Sequence, residues 1–552
     1  MEDYIFGTLI TDKLKLLHYR SHKKGLQHNY SINPKRPKPG KPTNISVLVG
    51  PDLDVNHIYC YYTLDGSQPC GDRGNNPSGF VATFFRSSVQ WDTLTWGYSE
   101  IWTAEIPPQP DRTLVRYRIG AWKEGEKEIF ADWPDPKYKQ ELATHAHFND
   151  FPSPTLLPED PTIGKNFAFS INSYSAPEWS RQAIIYHIFV DRFFPGNNKI
   201  WNKAKDLNDF YGGTLWGVRD KLDYLCDLGA TAIWLSPTWP SHSYHGYDIT
   251  DYLSVSPRLG GNEAMRALIK EAHTRDIKII LDLVCNHSSN KHAYFLKALE
   301  NPKSKYRRYY IFDQSEIGYR TFFGVRTLPQ INLMNQEART WMIQNACFWI
   351  REFGVDGFRL DHANGPGPEF WSEFTLACKR ENSNCFCFGE VVEPPIDYLH
   401  FSGQLDGLLD FTFNDSIRRA FAFNSYSHEK FKSVIKRHYE FLKGSDLVLP
   451  TFLDNHDLAR FLHIAGEDKE KLRQAAKTQF EQAGPPIIYY GTEIGMSQKF
   501  NYDRKNGLEA CREPMVWGKD QDQELFYFYQ TLIKKRNEKR PWITQIEKND
   551  LS

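Results

Sequence analysis

Between residues 184 and 490 the chain carries eight short apolar runs, and most of them end in polar or charged residues. They are Ile184–Val190 before Asp191-Arg192, Ala232–Leu235 before Ser236-Pro237, Ile277–Val284 before Asn286-His287, and Val355–Leu360 before Asp361. Cys385–Phe388 before Glu390, Leu408–Phe413 before Asn414, Leu447–Leu453 before Asp454 and Ile487–Tyr490 before Gly491 complete the set. Amphipathic segments separate most of the runs. The one that follows Leu259-Gly260-Gly261-Asn262 and reaches Arg275 has apolar residues at helical spacing. Buried strands alternating with helices imply βαβ units and a parallel sheet. Eight such units are the count of a (β/α)8 TIM barrel, an α/β fold whose active sites form at the C-terminal strand ends.

The chain's 552 residues exceed what one core holds and call for further domains. From about Asn44 to Asp135 short β-like runs such as Ile45–Val49, Ile58–Tyr62 and Val115–Ile119 are separated by turn signals including Asp65-Gly66. This predicts an N-terminal, Ig-like β-sandwich within residues 1–150. Its Trp91, Trp96, Trp102 and Trp122 are expected mostly in the core, with one or two available for carbohydrate contact. Pro152, Pro154, Pro158 and Pro161 mark a linker over 151–178. The barrel is assigned to 179–287 and 334–540. The stretch 288–333, rich in Tyr, Arg and Lys, is too long for a βα loop and predicts a small inserted subdomain after strand 3.

Charge excludes some classes of partner. The formal net charge is −1, so no global footprint for nucleic acid or an anionic membrane exists. No run of about 18 apolar residues is present to span a bilayer. The N-terminus lacks the features of a signal peptide, and nine cysteines without metal-ligand spacing suit a reducing compartment, so a cytoplasmic location is expected. Cys385 and Cys387 alternate with phenylalanines as one face of a buried strand.

The strand ends collect Asp282, Asp361, Glu390, Asp454 and Asp457, together with His287, His456 and Arg359. Asp361 and Glu390 are 29 positions apart, close to one strand–helix repeat, which places them on adjacent strands of one mouth. Two facing carboxylates hydrolyse a glycosidic bond with retention when ~5–5.5 Å apart. One attacks the anomeric carbon while the other protonates the leaving oxygen and then activates water.

These motifs resemble the α-amylase family, glycoside hydrolase family 13, over the barrel from about Trp179 to about Asn537. Asp282–His287 resembles the family's strand-3 motif and Gly357–Asp361 its strand-4 motif. Phe388–Val391 resembles the strand-5 motif, Phe452–Asp457 the strand-7 motif, and Leu328–Leu333 the short motif closing the inserted domain. The resemblance implies that Asp361 is the nucleophile, forming a covalent glucosyl intermediate, and that Glu390 is the general acid/base. By the same resemblance Arg359 orients and ionises Asp361, neighbouring carboxylates raise the pKa of Glu390, and Asp457, His456 and His287 hold sugar hydroxyls. Tyr247 is similar to the aromatic that stacks under the sugar, and Asp248 is expected to line the mouth.

The implied substrates are starch, glycogen, maltooligosaccharides or cyclodextrins, cleaved at α-1,4 and optionally α-1,6 bonds. An α-glucan transglycosylase and a non-catalytic glucan-binding protein are the competing readings. Departures from the family pattern matter. Asn364-Gly365 stands where many relatives have Lys-His, and Thr214 replaces an aspartate of a second calcium site. Asn286 keeps one expected calcium ligand and Gly365 could supply a carbonyl, but the motif is incomplete, so no cofactor is expected to be required and calcium is an option only. Tyr244 stands where exo-acting α-glucosidases tend to place an aspartate. The β domain before the barrel resembles the layout of cyclomaltodextrinases, neopullulanases and maltogenic amylases, for which a homodimer is an option. The usual β domain after the eighth helix is expected to be absent or truncated.

Overall fold

The computed structural model describes residues 16, 19–75, 77–132, 165–500 and 507–542. Ten strands precede the barrel and form two antiparallel sheets. In the first, β3 (Thr43–Val49) lies between β1 (Leu26–Gln27) and β7 (Gly97–Ile106), and β6 (Phe85–Asp92) pairs with β7. In the second, β8 (Thr113–Trp122) lies between β4 (His57–Thr63) and β10 (Phe167–Ile171), and β5 (Phe80–Thr83) pairs with β4. Inward residues of both sheets, among them Ile45, Val47, Cys60, Val115, Tyr117 and Phe169, form one buried core.

Two sequence expectations change here. Strand β10 falls inside the stretch assigned to the linker, yet it pairs with β8 from Phe167↔Tyr117 to Ile171↔Thr113 and belongs to the sandwich. A five-residue, largely apolar strand was masked by its proline-rich approach, and those four prolines lie outside the described residues. Trp122 is buried and Trp102 packs against the core, but Trp91 and Trp96 are 48% and 75% exposed on the β6–β7 hairpin. There Trp91 packs edge-on against both Trp96 and Tyr98.

The barrel strands β11 (Ile185–Ile188), β12 (Ala232–Leu235), β13 (Lys278–Val284), β14 (Gly357–Asp361), β15 (Phe386–Gly389), β16 (Gly407–Leu408), β17 (Thr451–Phe452) and β18 (Pro486–Tyr489) are parallel. Between β16 and the approach to β17 the ring closes through Leu408 N–H to the Val448 carbonyl (3.0 Å) and Val448 N–H to the Asp406 carbonyl (2.9 Å). Closure leaves no open sheet edge. The period-2 alternation divides each strand. Ile185, Ala232, Trp234, Ile280, Phe386, Phe388 and Ile487 fill the lumen, whereas Tyr186, Ile233, Leu235, Ile279, Leu281, Cys385 and Cys387 face the helices. The residues from 288 leave and return at the end of β13, tied by Ile331 N–H to the Asn286 carbonyl (2.9 Å).

The sandwich docks on the barrel helix Pro368–Glu381. Buried Arg116 of β8 and buried Arg339 of the preceding helix both grip Glu373 Oε2, at 2.6 and 2.7 Å. Tyr30 bonds Glu369, and Ser372 Oγ donates to the Ala168 carbonyl at 2.9 Å. Glu373 is the carboxylate that bridges two buried guanidiniums, with Glu369 a further anion near Arg116. Glu373→Ala is therefore expected to destabilise the protein by about 3–5 kcal/mol, read as a lower urea midpoint, because both cations lose the carboxylate they share. An unchanged midpoint would show that solvent replaces the carboxylate.

Candidate active site

Strand register assembles the site. Asp282 on β13 lies directly beside Arg359 on β14, and Arg359 beside Phe388 on β15. Arg359 and Asp361 are two apart on one strand and so share a face. The fully buried Arg359 guanidinium is shared by three acids. Nη1 donates to Asp282 Oδ1 at 2.7 Å and to Asp361 Oδ1 at 3.0 Å, and Nη2 lies 2.6 Å from Glu390 Oε1. Glu390 Oε2 also accepts from the His362 backbone N–H at 3.1 Å.

Three carboxylates around one cation, all in low dielectric, resist full ionisation. Burial pushes Asp361 well above the ordinary carboxylate range, and Glu390, Asp282 and Asp457 add to that rise while Arg359 opposes it. Arg359 thus draws Asp361 toward the ionised form, as expected, but burial is the larger influence. Asp282 is raised to about 6, again chiefly by burial. The protons of such a cluster belong to the group rather than to one acid.

Tyr247 closes the other side. Its hydroxyl donates to Asp282 Oδ2 at 3.0 Å and bonds His456 Nε2, and its ring stacks on that of His456 at 5.4 Å. Trp234 Nε1 donates to the same Asp282 oxygen at 3.0 Å. His456 Nε2 lies 3.0 Å from Asp457 Oδ2. Burial lowers His287 to about 3 and His456 well below its ordinary value, so both are neutral rings near neutrality. Asp361, Glu390, Asp457, Arg359, Tyr247, His456 and Asp282 therefore form one connected network. His287 sits at its edge, 4.8 Å from the Phe322 ring. Asp248 is brought to the mouth region but turned away from it. Its carboxylate accepts from the backbone N–H groups of His242 (3.2 Å) and Ser243 (3.4 Å) and from Ser243 Oγ, so it braces its own loop. Asp454 is also structural, accepting from Phe461 N–H at 2.8 Å and Thr492 Oγ1 at 2.9 Å.

Three features were absent from the sequence reading. Arg512 donates to Asp457 Oδ1 (2.9 Å), the His456 carbonyl (2.7 Å) and Tyr244 Oη (2.8 Å), fixing the β17 loop from the far side. Its signal is weak, since it lies 55 positions beyond Asp457 and not at a strand end. His245 bonds the Tyr247 backbone N–H at 3.2 Å. Phe322 and Phe323, an aromatic pair in the inserted stretch, pack on His362 at 5.0 and 5.3 Å and cover the residue after Asp361.

The family's calcium pattern can be tested on its own residues. Thr214 Oγ1 is occupied as a helix cap, accepting from Gly217 N–H at 3.1 Å and donating to the Pro195 carbonyl at 2.7 Å. Gly365 packs so tightly on Asn286 that a Cβ there would lie 2.1 Å from Asn286 Oδ1. One amide oxygen and a backbone carbonyl fall short of the six to eight oxygens calcium takes. The marked residues do not fit a calcium ion.

A closed parallel barrel with buried acids gathered on an arginine at its C-terminal mouth defines a barrel enzyme built for acid–base chemistry. Comparison with known proteins narrows this. Residues 187–523 match the family model "Alpha amylase, catalytic domain". The chain is 39% identical over 451 residues to Alpha-amylase 2 of Dictyoglomus thermophilum, covering 81% of this chain and 73% of that protein. It is 35% identical over 383 residues to Neopullulanase 2 of Thermoactinomyces vulgaris, covering 66% of this chain and 64% of that protein. A solved cyclomaltodextrinase superposes with a TM-score of 0.62 at 26% identity, covering 93% of this chain and 84% of the other. The chain belongs to the alpha-amylase family of glycoside hydrolases.

Arg512 predicts a kinetic effect at a residue outside the strand-end motifs. Arg512→Lys keeps the charge but not the fork that holds three acceptors. It is expected to lower kcat/KM for glucan hydrolysis by about 10²-fold, the scale of a small misplacement of a site group. Unchanged kinetics would mean Asp457 is held by His456 alone.

Proposed function

We propose that this protein hydrolyses α-glucosidic bonds with retention, with Asp361 as nucleophile, Glu390 as general acid/base and Asp457 as a holder of sugar hydroxyls. The observation that carries the reading is the shared Arg359, which grips Asp361 and Glu390 with the two terminal nitrogens of one guanidinium. That geometry suits the close carboxylate pair of a retaining enzyme. In the working state Asp361 is ionised and Glu390 carries the proton. Glu390 gives that proton to the leaving oxygen as Asp361 bonds the anomeric carbon, and then takes one from the water that breaks the covalent ester. Tyr247 stacks under the sugar, and His287 and His456 donate to its hydroxyls as neutral imidazoles.

The proposed substrates are starch, glycogen, maltooligosaccharides and cyclodextrins, in keeping with relatives named amylase, neopullulanase and cyclomaltodextrinase. No helix among the described residues is long and apolar enough to cross a membrane. We place the enzyme in the cytoplasm because none of the nine cysteines is in a disulfide, not even Cys385 and Cys387 with sulfurs 3.8 Å apart. A homodimer is kept as a proposal, with the exposed Trp91–Trp96–Tyr98 hairpin as the face available to a second copy. No calcium is assigned a part in catalysis.

The first test incubates the protein with soluble starch, pullulan and a cyclodextrin and resolves the products. New reducing ends with the native protein, lost in Asp361→Asn, are expected. Longer oligosaccharides without new reducing ends would make it a transglycosylase, and binding without products would make it a glucan-binding protein. The pH profile is the second test. Asp282 is one of three acids on Arg359 and helps hold Asp361 above the ordinary carboxylate range, so Asp282→Asn removes a negative neighbour and makes Asp361 easier to ionise. The acid limb of the kcat/KM profile, set by Asp361, is expected to move to lower pH. An immobile acid limb would show that Asp282 is already protonated across that range.

A further inference from the structure

We infer that His22, Asp397 and His400 form a site for a divalent transition metal, zinc being the best match, which fastens the N-terminal segment to the barrel beside the active site. The three residues come from distant parts of the chain. His22 belongs to the segment before β1, and Asp397 and His400 lie three apart, on one face of the helix Pro395–Phe401 that follows β15. One ligand atom from each lies within 4.8 Å of the other two. His22 Nε2 is 3.8 Å and His400 Nδ1 3.6 Å from the same Asp397 oxygen.

A tetrahedral zinc ion with bonds of ~2.0–2.1 Å holds its ligand atoms ~3.3–3.4 Å apart, so the two histidine–aspartate spacings need only a small contraction, and the two histidine nitrogens, within 4.8 Å, need a side-chain rotation to share one ion. Two imidazoles and a carboxylate are a zinc-type donor set, too nitrogen-rich for calcium or magnesium. The side chains are largely shielded, at 15%, 13% and 7% exposure. They remain reachable, because His22 and His400 both line a cavity of about 490 Å³ between the sandwich and the barrel, which leaves room for a water as fourth ligand. Support from outside the ligands is present: Ser21 Oγ is 3.2 Å from His22 Nδ1, which leaves Nε2 directed at Asp397. Lys35 lines the same cavity but turns its ammonium to the Tyr30 carbonyl at 3.0 Å.

The placement bears on function. Helix Pro395–Phe401 starts five residues after Glu390, and Glu393 between them bonds Asn364 Nδ2 at 2.8 Å, three residues past Asp361. An ion at this site would brace the loop that carries the acid/base from outside the sugar-binding mouth, without touching substrate.

The experiment titrates Zn²⁺ alone into full-length protein that has been treated with chelator and desalted. One ion per chain is expected, with the Tm rising on zinc addition and falling with EDTA. His22→Ala, Asp397→Asn and His400→Ala should each weaken binding by more than the about 10–100-fold that loss of an outer partner costs. Asp361→Asn should bind zinc as the native protein does. Zinc binding that is undetectable up to millimolar concentration, or unchanged in all three variants, would overturn the proposal. Should a variant fold poorly, the absorption of the Co²⁺-loaded native protein decides. A low-symmetry nitrogen/oxygen spectrum supports the site, and a sulfur charge-transfer band would place the ion on cysteines and sink it.

Discussion

One buried guanidinium organises the mouth of this barrel. Arg359 is fully enclosed, and its positive charge is tolerable there only because Asp282, Asp361 and Glu390 surround it. The dependence runs both ways. Without Arg359 three acids would face each other in low dielectric, and without the acids the cation would be stranded. The strands β13, β14 and β15 must therefore hold their register, since a slip of one residue would turn each of these side chains out toward the helices. Barrel closure through Val448 fixes that register from behind.

Around this centre the outer layers act as braces. Tyr247, Trp234 and His456 occupy the remaining lone pairs of Asp282 and Asp457, and Arg512 ties the β17 loop to Tyr244. Such groups are cheap in motion and costly to replace, because each is already paired before substrate arrives. The N-terminal sandwich extends the bracing. Its Arg116 and Tyr30 seize the helix Pro368–Glu381, which begins seven residues after Asp361. Stability of the domain contact and geometry of the site are thus linked through one helix.

The strand-end acids were legible because a parallel barrel puts the residue after each apolar run at the mouth whatever the loops do. Asp361, Glu390 and Arg359 follow from that rule together with the i, i+2 spacing of a strand. Asp248 did not follow it: the residue is loop-borne, and its carboxylate satisfied nearby backbone N–H groups instead of facing outward. Strand β10 was hidden for a similar reason, since five residues, four of them apolar, behind a run of prolines carry too little pattern to reveal which sheet they join.

By itself the sequence determined the barrel, its eight units, the inserted stretch and the acids at the strand ends. Period and spacing are local properties that survive in one dimension. Only the tertiary structure decided the partners. That Arg512 reaches Asp457, that Glu373 stands between Arg116 and Arg339, and that His22 meets Asp397 and His400 are contacts between residues 34 to 378 positions apart. No propensity or periodicity encodes such meetings, because they exist only once two separately folded surfaces have been pressed together and their buried charges have had to find one another.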